Sequence, residues 1–242
     1  MAELAKVVEQ AGGHAGAFSS AGEGKIKKKV GSSEAEFYKK LDGEYSAFVP
    51  YAPKCFGTEE EDGQNFVIME YLTEGMKKPC FMDIKIGTSS AGEDVSDEKR
   101  AKARDRDRNT TTAELGVRVV GMKYFDEEKN DYVKHSKDYG KALTKENVVP
   151  AMMAFFGTQT NREKVLPSVV NVVEEIRTLM ETQTVAKVYS SSILIAYDAD
   201  PEGAILPRVR MIDFAHVIPL NGKAHDEEYI VGIRNFVKYL KA

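Results

Sequence analysis

The chain has 242 residues, 42% of them hydrophobic and 30% charged, and a formal net charge of −4. That length can bury a substantial core in one large domain or two lobes. The acidic balance gives no reason to expect nucleic acid as a partner, no apolar run reaches the ~20 residues of a membrane span, and the two cysteines, Cys55 and Cys80, provide neither a disulfide framework nor zinc spacing. The cysteine usage suits a reducing compartment, so a cytoplasmic protein is expected, with the nucleus as the alternative and a monomer as the default state.

The first 30 residues are rich in glycine and small side chains and end in a short strand at 26–30. "SSEAEFYKKL" reads as a helix, with Ser33 and Glu36 spaced as a capping box and Phe37 and Leu41 on one side. "FVIMEYL" (66–72) is a continuous apolar run expected of a buried strand. A loop leads to a second strand, "PCFMDIKIG" (79–87), and a charged helix is expected over 97–108. Strands follow at 115–125 and 131–137, then helices at 145–156 and 163–182. The second helix carries the apolar stripe Leu166, Val169, Val170, Val173, Ile176 and Met180. "KVYSSSILIAYD" and "ILPRVRMIDFAH" read as two strands joined by "ADPEG", and residues 226–241 as a closing amphipathic helix. The order gives an α+β protein of two lobes, 1–72 and 73–242, divided after Leu72.

Three strands carry charge where alternation calls for apolar side chains. Lys28 shares a face with Ile26 and Val30. Asp83 and Lys85 share one face of "PCFMDIKIG", with Met82, Ile84 and Ile86 on the other. Asp213 falls in phase with Val209 and Met211. A buried charge without a partner is costly, so such groups are paired, bound to metal or turned toward a ligand. Lysines with a strand-end carboxylate and magnesium are recurring parts of ATP-dependent phosphoryl transfer. Yet GxxxxGK[ST] is absent, as are HRD, APE and GxGxxG, which excludes a P-loop protein and an ordinary protein kinase.

"PCFMDIKIG" matches the PxxxDxKxG signature of the inositol polyphosphate kinases. Four fixed positions at about 5–7% each match by chance in only a few chains per thousand. "SSSILIAYD" resembles the S-L-L segment of that family, with Ile193 in place of the first leucine, and "MIDFAH" resembles its IDF motif. The N-terminal "QAGGH…KIKKKVGSSEAEFYKKL" and the closing "DEEYIVGIRNFVKYL" extend the resemblance over nearly the whole chain. Ala-His after "IDF" is closer to the hexakisphosphate kinase and multikinase branches than to the trisphosphate 3-kinases.

The resemblance implies a two-lobed, protein-kinase-like fold with ATP in the cleft and an inserted substrate-binding helical segment at 93–114. It places Lys28 on the ATP phosphates, with Glu34 orienting it. Glu70 and Leu72 would meet adenine through their backbone groups, and Asp83 the nucleotide sugar. Lys85 would lie between the γ-phosphate and the attacking hydroxyl, Asp213 would bind Mg2+, and Ser192 would support the metal and phosphate region. Lys99, Lys102 and Arg106 lie on one helical face and, with His216, would hold the inositol phosphate. Arg208 and Arg210 read either as substrate contacts or as surface. The implied reaction is phosphorylation of inositol hexakisphosphate to a diphosphoinositol pentakisphosphate. Alternatives are multikinase action on a trisphosphate or tetrakisphosphate, a kinase of this fold acting on protein or lipid head groups, and a non-catalytic inositol phosphate binding module.

Overall fold

The computed structural model describes residues 16–92, 95–200, 202–203, 205–222 and 224–242, so "QAGGH" at 10–14 lies outside the described residues. Two antiparallel sheets dominate. The first contains β1 (Phe18–Ser20), β2 (Lys25–Val30), β3 (Cys55–Glu61) and β4 (Gln64–Glu70), in the order β1-β2-β4-β3. Helix α1 (Ser32–Lys39) packs against it. The helix starts two residues earlier than a capping box at Ser33 requires. Gly31 is its N-cap, no side chain caps it, and Ser33 lies inside the first turn. Strand β4 is half-buried rather than fully buried: Val67 and Met69 face the core, while Phe66 and Ile68 are less covered.

The second sheet runs β10-β9-β5-β6-β7. Its strands are β5 (Pro79–Ile86), β6 (Val117–Asp126), β7 (Asp131–His135), β9 (Ser192–Asp198) and β10 (Arg208–Ile212). Between β5 and β6 the chain forms α2 (Asp97–Arg108) and α3 (Thr111–Leu115). Helices α4 (Lys137–Ala142), α5 (Val148–Phe155), α6 (Gln159–Thr182) and α7 (Glu227–Leu240) complete this half. The α6 stripe is Val165, Val169, Val173, Ile176 and Met180, all buried, while Leu166 and Val170 lie at its margin. Among the described residues no helix is long and apolar enough to cross a membrane.

The two strands expected near the C-terminus are each split. Strand β8 (Ala186–Tyr189) and strand β9 are separated at Ser190, and β10 and β11 (His216–Pro219) at Asp213. Ser190 and Asp213 have φ of 63° and 64°, the left-handed region that non-glycine residues seldom occupy. The outer halves, β8 and β11, form a two-stranded sheet of their own. Backbone in this region is strained and is found where surrounding packing over-determines it. Here the packing is aromatic. Phe214, fully buried, stacks on Phe37 of α1 with centroids 4.0 Å apart, and Phe48 and Tyr38 meet its ring edge-on.

Candidate active site

Strand β5 supplies the floor of the site. Met82, Ile84 and Ile86 are buried in the main core, as alternation predicts. On the opposite face Phe81 joins Leu72 and Ala196, with Met76 and Leu194 at the edge, in a small separate apolar cluster. Asp83 and Lys85 continue that face, and their partners on β9 are Leu194 and Ser192. Apolar surface thus gives way to charge along one strand over about 14 Å, from Phe81 to Lys85.

The structure brings Lys28, Asp83, Lys85 and Asp213 together. Lys28 Nζ lies 2.7 Å from Glu34 Oε1 and 2.7 Å from Asp213 Oδ1, joining the two sheets. Asp213 does not continue the core face of Val209 and Met211. Its left-handed backbone breaks the alternation after Ile212, and its carboxylate, 43% exposed, turns to the cleft. Burial pulls the Asp213 carboxyl upward, but the Lys28 ammonium, with help from Lys85, holds it below the usual range.

Asp83 is 6% exposed, and its Oδ1 has no hydrogen-bond partner among the described residues. Burial, reinforced by the charge of Asp213, pushes its carboxyl up to about 7, against the opposing effects of Ser192, Lys85 and Arg118. Lys85 Nζ donates to Ser190 Oγ at 2.6 Å. Burial pushes the Lys85 ammonium down to about 8, with Arg118 and Arg106 adding to the fall while Asp213 and Asp83 resist it.

Sequence reasoning missed Arg118 and Ser190. Arg118 pairs with Lys85 across the β5–β6 ladder and is 2% exposed, with its Nε on Thr112 Oγ1 at 3.1 Å. Simple alternation along β6 puts it on the opposite face from Lys123. A bulge opposite Asp83 and Ile84 reverses the phase, so both face the same side of the sheet. Ser190 was hidden in the run "YSSS". The S-L-L segment of the family resemblance marks Ser192 instead, which is fully buried beside Asp83 and Lys85.

The connection between the sheets is tied down by two arginines of β10. Arg208 Nη1 donates to the carbonyl of Leu72 at 2.7 Å and to that of Glu74 at 3.1 Å. Arg210 Nε meets Glu70 Oε1 at 2.6 Å. Neither is simple surface charge. Glu70 N–H donates to the Lys54 carbonyl at 2.9 Å, so that backbone group is already engaged. A cavity of about 820 Å³ opens between Tyr38, Cys55, Phe56 and Arg210, away from the charged floor.

The three cations expected on α2 are not equivalent. Arg106 reaches Ser90 Oγ and is close enough to weigh on Lys85. Lys99 is exposed, and Lys102 pairs with Glu98 at 2.7 Å in an ion pair more than three-quarters exposed, which holds little energy. His216 opens β11 opposite Tyr189, three residues after Asp213.

The residues fit a nucleotide: an apolar cluster stands beside unsatisfied buried polar atoms and convergent cations. Two sheets joined by one short connection, with a lysine of one facing a carboxylate of the other, define the kinase-like class of folds. A profile of the inositol polyphosphate kinases matches residues 66–241, and the chain belongs to that family. It is 29% identical over 209 residues to inositol hexakisphosphate kinase 3 of Mus musculus, covering 77% of this chain and 53% of that one. It is 28% identical over 244 residues to inositol polyphosphate multikinase beta of Arabidopsis thaliana, covering 87% and 80%. The chain thus spans about half the length of the hexakisphosphate kinase it matches. A solved structure of the S. cerevisiae inositol phosphate multikinase, in complex with ADP and Mn2+, superposes with a TM-score of 0.79 at 25% identity, covering 90% of this chain and 98% of that one.

Proposed function

We propose that the chain transfers the γ-phosphoryl group of ATP to an inositol phosphate. The observation that carries this reading is the convergence of Lys28, Asp83, Lys85 and Asp213 at the junction of the two sheets. We assign adenine to the Leu72–Phe81–Ala196 cluster, with the carbonyl of Glu70 and the N–H of Leu72 as its backbone partners. Asp83, next along the strand, takes the sugar, and Lys28 the phosphates. An ionised carboxylate at the mouth of such a cleft suits magnesium, which needs only one or two protein carboxylates beside the nucleotide's phosphates. Asp213 would hold it, and bound there it would supply charge neutralisation for the phosphates.

Lys85 places positive charge where the transferring group becomes negative, and its bond to Ser190 fixes the ammonium. Its proton is loosely held in the free protein, and an incoming phosphate draws it back. Arg106, followed outward by Lys99 and Lys102, and His216 across the cleft, form the acceptor site. No strong base is needed if the transition state is loose.

The acceptor we favour is inositol hexakisphosphate, giving a pyrophosphate product. A multikinase reading, with a less phosphorylated ring, is favoured by the fuller coverage of the Arabidopsis relative. Incubation with Mg-ATP and a panel of inositol phosphates, with products resolved by charge, decides between them. A pyrophosphate from the hexakisphosphate supports the first reading and an ester from a lower phosphate the second. Binding of inositol phosphates without any transfer would leave a non-catalytic binding module and overturn the proposal.

A further inference from the structure

Helix α2 carries four acidic residues, Asp97, Glu98, Asp105 and Asp107. Three are exposed, as expected of a solvated charged helix. Asp107 is 3% exposed, and the helix turns it inward together with Ala103, one turn earlier. Its two oxygens divide their work. Oδ2 accepts the backbone N–H of Ser90 at 2.8 Å, and Oδ1 accepts the Ser90 hydroxyl at 2.6 Å. That hydroxyl in turn accepts from Arg106 Nη2. Ser90 lies three residues after Gly87, on the segment that leaves the floor strand, and Arg118 also feels the charge of Asp107. A buried carboxylate with two hydrogen bonds to one residue is therefore the tie between α2 and the strand that carries Lys85.

The hydroxyl of Ser90 has one proton. Because Asp107 takes it, the lone pairs are left for Arg106. Without Asp107 that hydroxyl is free to rotate and donate elsewhere, and the guanidinium loses a fixed acceptor. Arg106 itself is about half exposed, at 42% for its side chain; its Nε stands 3.8 Å from Asp107 Oδ1, so the carboxylate also attracts the guanidinium directly, while the Ser90 hydroxyl supplies its hydrogen bond.

We propose that Asp107 is a positioning residue for the acceptor: through Ser90 it fixes Arg106 relative to Lys85, and so sets the affinity for a polyphosphorylated ring without touching it. The inference rests on the proposed inositol phosphate site. It separates the acidic residues of α2 into one internal brace and three solvent-facing charges.

The test is calorimetric titration of the full chain with inositol hexakisphosphate, and in parallel with inositol trisphosphate, for the wild type, Asp107→Asn, Arg106→Ala and the double variant. Melting curves accompany each protein. Asp107→Asn is expected to weaken binding of the hexakisphosphate about tenfold while ATP affinity stays within about twofold. Arg106→Ala alone is expected to weaken it similarly, and the double variant no further, because the two losses are one loss. Additive losses, or equal weakening of ATP, would show that Asp107 only supports the fold and would overturn the inference. Should Asp107→Asn not fold, Ser90→Ala removes the same relay and is expected to give the same selective loss; unchanged binding there overturns the inference equally. If the wild type binds neither inositol phosphate, the functional reading itself fails and the inference goes with it. Binding that is strong in the wild type and unaltered in the variants defeats the inference alone.

Discussion

Lys28 Nζ stands 2.7 Å from Asp213 Oδ1, so residues 185 positions apart are joined across the two sheets by a single ammonium. Glu34 completes the pair as a buried second carboxylate, its side chain 6% exposed. Lys28 is held above the ordinary lysine range, because the pull of Asp213 and Glu34 overcomes burial. A raised lysine contributes its stability in full below the unfolded value, so this tie is intact at every pH at which the protein works. Lys28→Met leaves Glu34 unpaired in the core. The expected cost is about 3 kcal/mol, with loss of phosphoryl transfer. Part of the lost stability returns on acidification, as the stranded carboxyl takes up a proton. Thermal melts at pH 5 and pH 8 check this, and a cost independent of pH would count against it.

Lys85→Ala and Asp213→Asn are each expected to reduce turnover by at least about a thousandfold, the scale of losing transition-state charge stabilisation, with far-ultraviolet circular dichroism unchanged. Near-normal activity in either folded variant would contradict the assigned roles.

A lysine pushed down to about 8 leaves a signature in pH profiles. The protonated form is the working form, so kcat/KM for the inositol phosphate falls as pH rises through about 8. At saturating substrate the phosphates favour the ammonium, and the fall in kcat moves to higher pH. Lys85→Arg, if active, loses this limb. Steady-state rates from pH 6 to pH 10 provide the measurement.

Asp83 should trade stability for function. A carboxyl raised to about 7 binds more protons folded than unfolded between the ordinary aspartate value and 7, so it weakens the fold as pH rises through that window. Asp83→Asn removes the penalty. A melting temperature higher by about 3 °C at pH 8, with little change at pH 4, is expected alongside a raised KM for ATP. A variant less stable than the wild type at pH 8 would mean that the ionised carboxylate stabilises the fold.

Gly232 of α7 sets the closest approach behind the site. A Cβ there would stand 2.6 Å from Gly87 N, and nearer still to the carbonyl of Gly116. Since both neighbours are backbone, Gly232→Ala cannot be relieved by a rotamer change. A cost of about 3 kcal/mol or more is expected, read as a lowered denaturant midpoint.

The legible part of this protein was the part governed by alternation and by motif. The core face of β5, the amphipathic α7 and the charged α2 follow from side-chain periodicity. Lys28, Asp83, Lys85 and Asp213 stand out because each breaks it. What could not be read were contacts set by backbone departures. Ser190 and Asp213 leave their strands through left-handed turns that their residue types do not announce. The ties of Arg208 and Arg210 to the connection between sheets join residues about 135–140 positions apart, and no local pattern encodes them. Asp107 shares a charged helix with three exposed acids, and its acceptor role depends on a loop 17 residues earlier, so no local pattern sets it apart.

The bulge in β6 makes that strand two reading frames spliced at Val120. Upstream the cleft side is written on even positions, as at Arg118; downstream it is written on odd ones, as at Gly121 and Lys123. Removing that single residue would merge the frames. Arg118, Gly121 and Lys123 would then share one side by plain alternation, because their partners Lys85, Asp83 and Phe81 already do. What the site cannot absorb is Val120 kept without its bulge: one flank would turn over and carry either a guanidinium or an ammonium into the apolar interior, so the bulge itself is part of the site's chemistry.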